Sequence, residues 1–294
     1  MAVRYFLAFL TAAALVCGCA NTGASASGSA ANGAAPSAKA TSGQKPRKIG
    51  VQMYTFHKYT LEDSIPLLKS IGVDAMGLTR GQKLSAKCQK NIGPDLNKQE
   101  RAYLKELLKK NGMKAVSYGV ANGGDEKGID AIAEFVKDVG IPIVLTEDKP
   151  KLIPYWDKVA EKNGFIVCIH NHDSTQMKAN RYFNPLVVKK TIGKCKNVFA
   201  CPDNGHWSRS AVDGKWGYKT LAGKIRIVHF KDQKEFGNLK NQPVPFGEGE
   251  LDCKGLLEIL DSQGFDGYFL IEHETDWDNN LPAVKKCVEF LKNN

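Results

Sequence analysis

Residues 48–294 alternate between short apolar segments and amphipathic segments with a period of about thirty residues, and this alternation constrains the fold more than any other feature of the chain. Repeated strand and helix units of this kind are typical of parallel α/β proteins. Eight apolar segments have the length and composition of buried strands: 49–54, 73–78, 113–120, 141–145, 165–170, 198–201, 225–230 and 268–271. Eight such units match the usual size of a (β/α)8 barrel, so we predict an α/β fold of the TIM-barrel type.

The segments between these strands have the pattern of outer barrel helices. Residues 98–110 place Leu104, Leu107 and Leu108 on one stripe and lysines on the opposite face, as expected for a helix that is buried on one side. The other predicted helices are 61–70, 129–139, 152–162, 185–192, 217–222, 256–262 and 281–291. An open doubly wound sheet is the alternative, but no G-x-G-x-x-G sequence follows the first strand.

The first 47 residues differ in composition from the predicted barrel. Residues 5–16 form an apolar run with the length of a signal-peptide core, which is too short to span a bilayer. The run ends in V-C-G-C, which resembles a bacterial lipobox with Cys19 as the acylated residue; an ordinary secretory signal cut nearby is the alternative. We therefore predict a lipoprotein signal peptide over residues 1–18 and a disordered tether, rich in Ala, Ser and Gly, over residues 19–47. The protein is expected to be exported to the periplasm or outer membrane and to touch the membrane only through its lipid anchor.

The net charge of +10 and the isoelectric point near 9.1 come largely from lysines scattered along the helices. No basic run is interleaved with aromatic residues, so the sequence does not indicate a nucleic-acid partner.

The eight cysteines contain no C-x-x-C pair, which argues against a structural zinc ribbon. We expect most of the thiols to be buried, with at most one disulfide.

Histidine and acidic side chains follow four of the predicted strands at the point where each strand ends. They are His170 and His172 on one face of the fifth strand, Asp203 and His206 after the sixth, His229 on the seventh and Glu272 on the eighth. The carboxyl ends of barrel strands carry active sites, and imidazole and carboxylate ligands suit a borderline divalent ion such as Mn²⁺, Co²⁺ or Zn²⁺. With His273, which follows Glu272, five of the six histidines lie in these four segments, and this favours a shared metal site over isolated structural histidines. Gln52 and Tyr54 share a face after the first strand and, with His57, either line the same pocket or pack at the bottom of the barrel.

The order of four motifs resembles that of the xylose-isomerase-like barrel superfamily over residues 48–294. The motifs are D-x-x-H at Asp203 and His206, H-F-K-D at 229–232, F-G-E-G-E-L-D at 246–252 and G-F-D-G-Y-F-L-I-E at 264–272. The superfamily includes sugar isomerases and epimerases, inosose dehydratase, endonuclease IV and enzymes that cleave 3-keto-glycosides. The resemblance therefore implies a sugar or glycoside as the small-molecule substrate and a divalent metal ion as the cofactor.

The resemblance also implies roles for single residues. In ketose 3-epimerases of this superfamily the ion is held by two Glu, one Asp and one His, and the two Glu act as acid and base. Here His170 stands where one of the two Glu is expected, so a symmetric two-Glu mechanism does not carry over to this chain. The implied metal ligands are His170, Asp203, His229 and Glu272, the implied catalytic residues are Glu272, His170 and His206, and the implied substrate contacts are His172, His206, Lys231 and Asp232.

Endonuclease IV is the member of the superfamily whose function the sequence argues against. Its three-metal cluster needs further His ligands on the second and third strands. These strands end here in G-L-T-R and S-Y-G-V, and neither contains His. A DNA-repair nuclease is therefore not predicted.

We expect Glu272 or a neighbouring imidazole to remove a proton next to a carbonyl, with an enediolate as the intermediate. Return of the proton gives an isomer or an epimer, so a sugar isomerase or epimerase is the main prediction. A lyase or hydrolase that acts on 3-keto-glycosides is the first alternative, because elimination shares the same first step. The second alternative is a sugar-binding lipoprotein without catalysis. Its stacking platforms would be Trp156, Trp207, Trp216 and Trp277, unless two of these are core or rim residues.

Overall fold

The computed structural model describes residues 46–177, 179 and 181–294. The predicted signal peptide, the predicted acylation site Cys19 and the predicted tether up to residue 45 lie outside the described residues. None of the helices in the described part of the chain combines the length and the apolar character that a membrane span requires.

The strands form one parallel barrel and one small ribbon. In chain order they are β1 (Lys48–Gln52), β2 (Ala75–Leu78), β3 (Lys114–Tyr118), β4 (Ile143–Thr146), β5 (Ile166–His170), β6 (Val198–Cys201), β7 (Ile227–Phe230), β8 (Asp232–Gln233), β9 (Pro243–Val244) and β10 (Tyr268–Ile271). The barrel strands pair in the order β6-β5-β4-β3-β2-β1-β10-β7, and β8 pairs with β9 in an antiparallel ribbon. This confirms the predicted (β/α)8 barrel, and each barrel strand starts and ends within two residues of its predicted bounds.

Helices connect the barrel strands. They are α1 (Leu61–Ser70), α2 (Lys98–Lys110), α3 (Glu126–Val139), α4 (Ile153–Asn163), α5 (Pro185–Ile192), α6 (Asn204–Arg209), α7 (Gly214–Thr220), α8 (Cys253–Ser262) and α9 (Leu281–Asn293). α2 begins at a capping box in which Asn97 and Glu100 each accept a hydrogen bond from the other's backbone N–H. The short helix α6 and the β8–β9 ribbon have no counterpart in the sequence prediction, and the predicted helix 217–222 begins three residues earlier, as α7.

The barrel closes between β6 and β7 by sparse pairing. Isolated parallel bridges join Ala200 to Ile225 and Asp203 to His229. His229 N donates a hydrogen bond to Pro202 O at 3.0 Å. This junction, which we call the seam, therefore places two of the predicted metal ligands directly opposite each other.

One buried side chain from each of seven barrel strands fills the barrel interior. They are Ala75, Val116, Leu145, Cys168, Cys201, Ile227 and Leu270. A larger apolar core lies where the strands pack against the helices. Because the interior is packed with apolar side chains, the polar side chains are confined to the ends of the strands.

The described cysteines are free thiols, and no disulfide joins them. Cys168, Cys201, Cys253 and Cys287 are buried, and burial raises the pKa of each of these thiols. They act as small apolar core residues, in agreement with the prediction of mostly buried thiols.

Arg47, the last residue of the predicted tether, is bound to the barrel. Its guanidinium donates two hydrogen bonds to Asp261, at 2.6 and 2.7 Å, and one to Asn294 O at 2.8 Å. The same group lies over the Phe269 ring, 5.4 Å from the ring centre. This bidentate pair attaches Arg47, which lies one residue before the predicted boundary, to α8.

Candidate active site

Four side chains from neighbouring strands converge at the carboxyl end of the barrel. His170 is the last residue of β5, and Asp203 follows β6. His229 lies in β7, and Glu272 directly follows β10. All four are buried, and one ligand atom from each lies within 4.8 Å of the others. The structure thus brings together the four residues that were predicted to hold a metal ion, and we call them the four-residue cluster.

Hydrogen bonds to the neighbouring backbone set the direction of the Asp203 carboxylate. Its Oδ1 accepts from His206 N at 2.8 Å, so Asp203 caps the N-terminus of α6. Asn171 donates to Asp203 O at 3.1 Å and accepts from Asp203 N at 3.0 Å. Asp203 Oδ2 is left to face the cluster, 3.5 Å from His170 Nε2 and 3.8 Å from His229 Nδ1.

The chemistry and the spacing of the cluster fit a divalent ion. Imidazole nitrogens and carboxylate oxygens are ligands that Mn²⁺, Co²⁺ and Zn²⁺ accept. His229 Nδ1 lies 3.1 Å from Glu272 Oε2 and 3.8 Å from Asp203 Oδ2. Such separations suit ligand atoms around an ion with bonds of about 2.0–2.2 Å. His170 Nε2 is buried and has no hydrogen-bond partner in the described part of the chain. A bound ion would give this nitrogen a partner.

Lys231 supplies a positive charge inside this acidic cluster. Its Nζ lies 3.0 Å from Asp203 Oδ2, 2.8 Å from Glu272 Oε2 and 2.8 Å from Glu274 Oε2. The side chain is fully buried. Burial lowers the pKa of Lys231, but the three carboxylates outweigh burial and raise the pKa above its usual value. A bound ion would therefore share two carboxylates with a lysine that remains charged.

Neighbouring positive charges keep the two carboxylates of the cluster ionised. Burial raises the pKa of Glu272, but Lys231 and His229 outweigh burial and hold the pKa well below its usual range. Burial also raises the pKa of Asp203, but the charges of Lys231 and His206 outweigh burial and hold the pKa well below its usual value. Both carboxylates are thus available as anionic ligands near neutral pH.

The two imidazoles of the cluster have different surroundings. Burial lowers the pKa of His229, which favours the neutral form that can bind a metal. Burial also lowers the pKa of His170, but the neighbouring carboxylates of Asp203 and Glu147 outweigh burial and raise the pKa to about 9. His170 therefore lies between two carboxylates, one on each side of its ring.

A cavity of about 390 Å³ adjoins the cluster. It is lined by Gln52, Tyr54, Thr79, Arg80, Gly81, Val120, His170, His172, Gln176, His206, Arg209, Glu272 and Glu274. His170 and Glu272 belong to both the cluster and the cavity, so a ligand in the cavity can reach the proposed metal ligands. His57 does not line the cavity; its ring stacks on Tyr54 with 4.6 Å between ring centres.

The predicted substrate contacts divide into two groups. His172 and His206 line the cavity, with 4.5 Å between their ring centres. Lys231 is turned into the carboxylates instead. Asp232 does not line the cavity, and its buried carboxylate accepts backbone hydrogen bonds at 2.8 to 3.2 Å. The donors are the N–H groups of Gln233, Gly247, Gly249 and Leu251. Asp232 therefore shapes the G-E-G-E turn.

Glu147 is a site residue that the sequence analysis missed. It follows β4, and its Oε1 lies 2.7 Å from His170 Nδ1 and 2.6 Å from His172 Nδ1. Burial raises the pKa of Glu147, but the two histidines outweigh burial and lower it to about 2. The signal was present, because T-E-D follows a buried strand just as the other polar segments do.

The tryptophans do not form a common stacking surface. Trp156 and Trp207 are fully buried in the core. Trp277 packs edge-on against the cavity residue Tyr54, with 5.6 Å between ring centres. Two of the four tryptophans are thus core residues, as the sugar-binding alternative allowed, and Trp216 and Trp277 remain its candidates for stacking.

Comparisons with known proteins agree with this fold. A sequence profile of the xylose isomerase-like TIM barrel family matches residues 65–294. The chain belongs to this family. Membership in the xylose isomerase-like family confirms the resemblance that the motifs indicated.

Two relatives of this xylose isomerase-like chain carry enzyme names. L-ribulose-5-phosphate 3-epimerase UlaE of Shigella flexneri is 40% identical over 88 residues, which are 29% of this chain and 30% of the relative. Inosose dehydratase of Clostridium perfringens is 23% identical over 146 residues, 45% of this chain and 46% of the relative. The chain thus spans about half the length, or less, of the relatives it matches.

A solved structure extends the similarity over almost the whole barrel. An uncharacterized protein from Parabacteroides distasonis superimposes with a TM-score of 0.67 at 27% sequence identity. The superposition covers 84% of this chain and 98% of that protein. The similarity therefore spans most of the xylose isomerase-like barrel and not one local motif.

Proposed function

We propose that this protein is a divalent-metal-dependent sugar isomerase or epimerase that removes a proton next to a carbonyl group. The observation that carries the proposal is the convergence of His170, Asp203, His229 and Glu272 beside a cavity of about 390 Å³. Two relatives, named as a sugar-phosphate 3-epimerase and an inosose dehydratase, support a substrate with a carbonyl group and hydroxyl groups.

The four-residue cluster would hold the ion, for which Mn²⁺, Co²⁺ and Zn²⁺ are the candidates. Such an ion acts as a Lewis acid that polarises a carbonyl and stabilises negative charge on the neighbouring oxygens. The chain itself contributes the orientation of the four ligand atoms and a buried site. Lys231 adds a fixed positive charge beside Glu272, which limits the repulsion between Asp203 and Glu272.

Glu272 is the residue we assign to proton abstraction. It is an ionised carboxylate that lines the cavity, so it can reach a C–H group of a bound sugar. His206 and His172 line the same cavity and can hold hydroxyl groups or return the proton. If the proton returns to the other carbon, the product is an isomer; if it returns to the opposite face of the same carbon, the product is an epimer.

Elimination from a 3-keto-glycoside is the second candidate. The first step is the same proton abstraction, and the departing group would then take a proton from an imidazole. The observation that favours it is that β5 ends in His170, where the resemblance would place the second Glu, and that His172 and His206 lie beside it in the cavity. The name of the relative inosose dehydratase points to the same class of reaction.

Metal content and substrate turnover test the proposal. We expect about one divalent ion per chain by mass spectrometry, and loss of that ion in His229→Ala. Glu272→Gln should lower kcat on ketoses or 3-keto-glycosides by about 10²–10⁴-fold, because general base catalysis contributes that factor. A product that keeps every atom identifies an isomerase or epimerase, whereas a released aglycone identifies a lyase.

Two results would contradict the proposal. A protein that binds no ion after incubation with Mn²⁺, Co²⁺ and Zn²⁺ has no metal-dependent mechanism. A Glu272→Gln variant that turns over substrate at the wild-type rate removes Glu272 as the base. Sugar binding without turnover would support the non-catalytic alternative.

We also propose that the protein is an exported lipoprotein acylated at Cys19, anchored in the periplasm or at the outer membrane. The lipobox-like V-C-G-C sequence supports this proposal. Metabolic labelling with a fatty acid should mark the wild-type protein and leave Cys19→Ala unlabelled. Equal labelling of both proteins would contradict acylation at this residue.

A further inference from the structure

Glu147 lies on the opposite side of the His170 ring from the four-residue cluster. His170 Nδ1 faces Glu147 Oε1 at 2.7 Å, whereas Nε2 of the same ring faces Asp203 Oδ2 at 3.5 Å. The Glu147 side chain is only 10% exposed. A buried carboxylate therefore lies directly behind an imidazole that faces the proposed ion.

The same oxygen of Glu147 holds a second imidazole. His172 Nδ1 lies 2.6 Å from Glu147 Oε1, and the two imidazole rings are inclined at 72° with 5.0 Å between their centres. An ionised carboxylate accepts hydrogen bonds and cannot donate them, so both Nδ1 atoms donate. Nε2 is then the ring nitrogen that His170 presents to the cluster and that His172 presents to the cavity it lines.

The backbone around Glu147 is held by the strand next to it in the barrel. Glu147 N donates to Asn122 Oδ1 at 2.7 Å, and Thr146 Oγ1 donates to the same oxygen at 3.1 Å. Asn122 follows β3, so two neighbouring strand ends fix the position of the Glu147 main chain. The carboxylate is thus presented from a fixed backbone.

The distances argue against a second metal ion at Glu147, His170 and His172. Two ligands of a tetrahedral ion with bonds of about 2.0–2.1 Å lie about 3.3 Å apart. The two nitrogen–oxygen distances at Glu147 are 2.7 and 2.6 Å, which are the distances of charge-assisted hydrogen bonds. Glu147 is therefore a hydrogen-bond acceptor for the two rings.

We propose that Glu147 is a positioning residue that holds His170 and His172 with Nδ1 protonated, directing Nε2 of one ring at the metal ion and Nε2 of the other at the substrate. This inference rests on the proposed function, since it assigns a role toward the same ion. A carboxylate behind a ligating imidazole fixes the orientation of the ring and increases its basicity, and removing such a carboxylate typically costs 10–100-fold in metal affinity. In this chain the Glu147 carboxylate would orient two rings at once, that of the proposed metal ligand His170 and that of the cavity residue His172.

The test compares Glu147→Ala and Glu147→Gln with the wild type, using Co²⁺ and Zn²⁺ titrations followed by calorimetry. We expect Glu147→Ala to bind either ion 10–100-fold more weakly. Glu147→Gln should recover part of the affinity, because its amide oxygen still accepts a hydrogen bond. Long-range ¹H–¹⁵N spectra of the Zn²⁺-loaded wild type should show both rings protonated at Nδ1, and the His172 signal should change tautomer in Glu147→Ala.

Asp148→Asn is the matched control, because Asp148 is the next residue and is also a buried carboxylate. Its oxygens accept from Gly123 N, Gly124 N and Trp156 Nε1, and none of these groups belongs to the cluster. The control should lose stability and keep the wild-type metal affinity and histidine tautomers. If the segment after β4 has only a structural role, Glu147→Ala and Asp148→Asn should both weaken ion binding.

The outcomes separate the inference from the proposed function. If the wild type binds no ion, the metal-dependent function fails and the inference fails with it. If the wild type binds one ion and Glu147→Ala binds it equally well, only the inference is overturned. Two ions per wild-type chain, with one lost in Glu147→Ala, would also overturn it and would make Glu147 a ligand.

Discussion

At the scale of single residues, Lys231 is the group on which the charge balance of the site depends. One ammonium faces three carboxylates at 2.8 to 3.0 Å in a fully buried position. Removing one partner of a buried ion pair is strongly destabilising, because the remaining charges are left without compensation. A divalent ion bound to Asp203 and Glu272 would compensate two of the same charges.

We predict that Lys231→Met lowers the free energy of unfolding of the metal-free protein by about 3–5 kcal/mol. Added Mn²⁺ should restore part of the loss, since the ion replaces the missing positive charge. Urea denaturation with and without Mn²⁺ measures both effects. Lys286→Met is the control: Lys286 pairs with Glu248 at the surface, where a pair contributes about 0–1 kcal/mol. A metal-free Lys231→Met protein as stable as the wild type would contradict this account.

Residue-level prediction from the sequence depends on the alternation of side chains along a strand. His229 and Lys231 share one face of the chain and Asp232 lies on the other, so alternation alone separates Asp232 from the cluster. The motif H-F-K-D was instead read as one contiguous site. Glu147 was missed for a different reason: it acts through His170, and sequence spacing does not reveal which strand end lies behind another.

At the scale of elements, the short helix α6 connects the cluster to the ribbon. Asp203 caps this helix through Oδ1 and faces the cluster through Oδ2, so one residue serves two purposes. Six residues with a glycine and no apolar period give no helix signal, which explains why α6 could not be predicted although the long amphipathic helices were. Gly205 allows α6 to approach β7 closely: a Cβ there would lie 2.6 Å from Lys231 Cδ and 2.7 Å from Gln233 Nε2.

We predict that Gly205→Ala displaces Lys231 and costs about 1–3 kcal/mol of stability through overpacking. Metal affinity should fall as well, because Lys231 contacts two of the proposed ligands. Thermal unfolding and Co²⁺ titration check these effects. Gly193→Ala is the control, since Gly193 has a φ of −57° and a Cβ there would meet no neighbour closer than 3.3 Å. Unchanged Co²⁺ affinity in Gly205→Ala would show that the close approach has no bearing on the site.

At the scale of the whole molecule, the barrel could be predicted because eight repeats of strand and helix each carried their own signal. The contacts of Arg47 could not be predicted as well, since the residues around it have the composition of a linker. Arg47 reaches Asp261 and Asn294 across more than two hundred residues of sequence. Contacts between residues so far apart in sequence cannot be predicted from local composition.

We predict that Arg47→Ala lowers the free energy of unfolding by about 1.5–3 kcal/mol, as expected for loss of partly buried hydrogen bonds between charged groups. Lys48→Ala should cost only about 0–1 kcal/mol, because Lys48 and Asp266 form an exposed pair. Denaturation of both variants gives the comparison. Equal effects of the two substitutions would mean that Arg47 is not part of the folded domain.

The seam between β6 and β7 is a junction at which a bound ion would link two strands. Only isolated bridges join the two strands there, and one of them pairs Asp203 with His229. In the metal-free protein, amide hydrogen exchange in β7 should therefore be faster than in β5, which pairs over four residues with each of its neighbours, and an ion held by Asp203 and His229 should slow it. Equal exchange in the presence and absence of the ion would contradict this. If the ion slows exchange, it also acts as a cross-link between two strands that isolated bridges join.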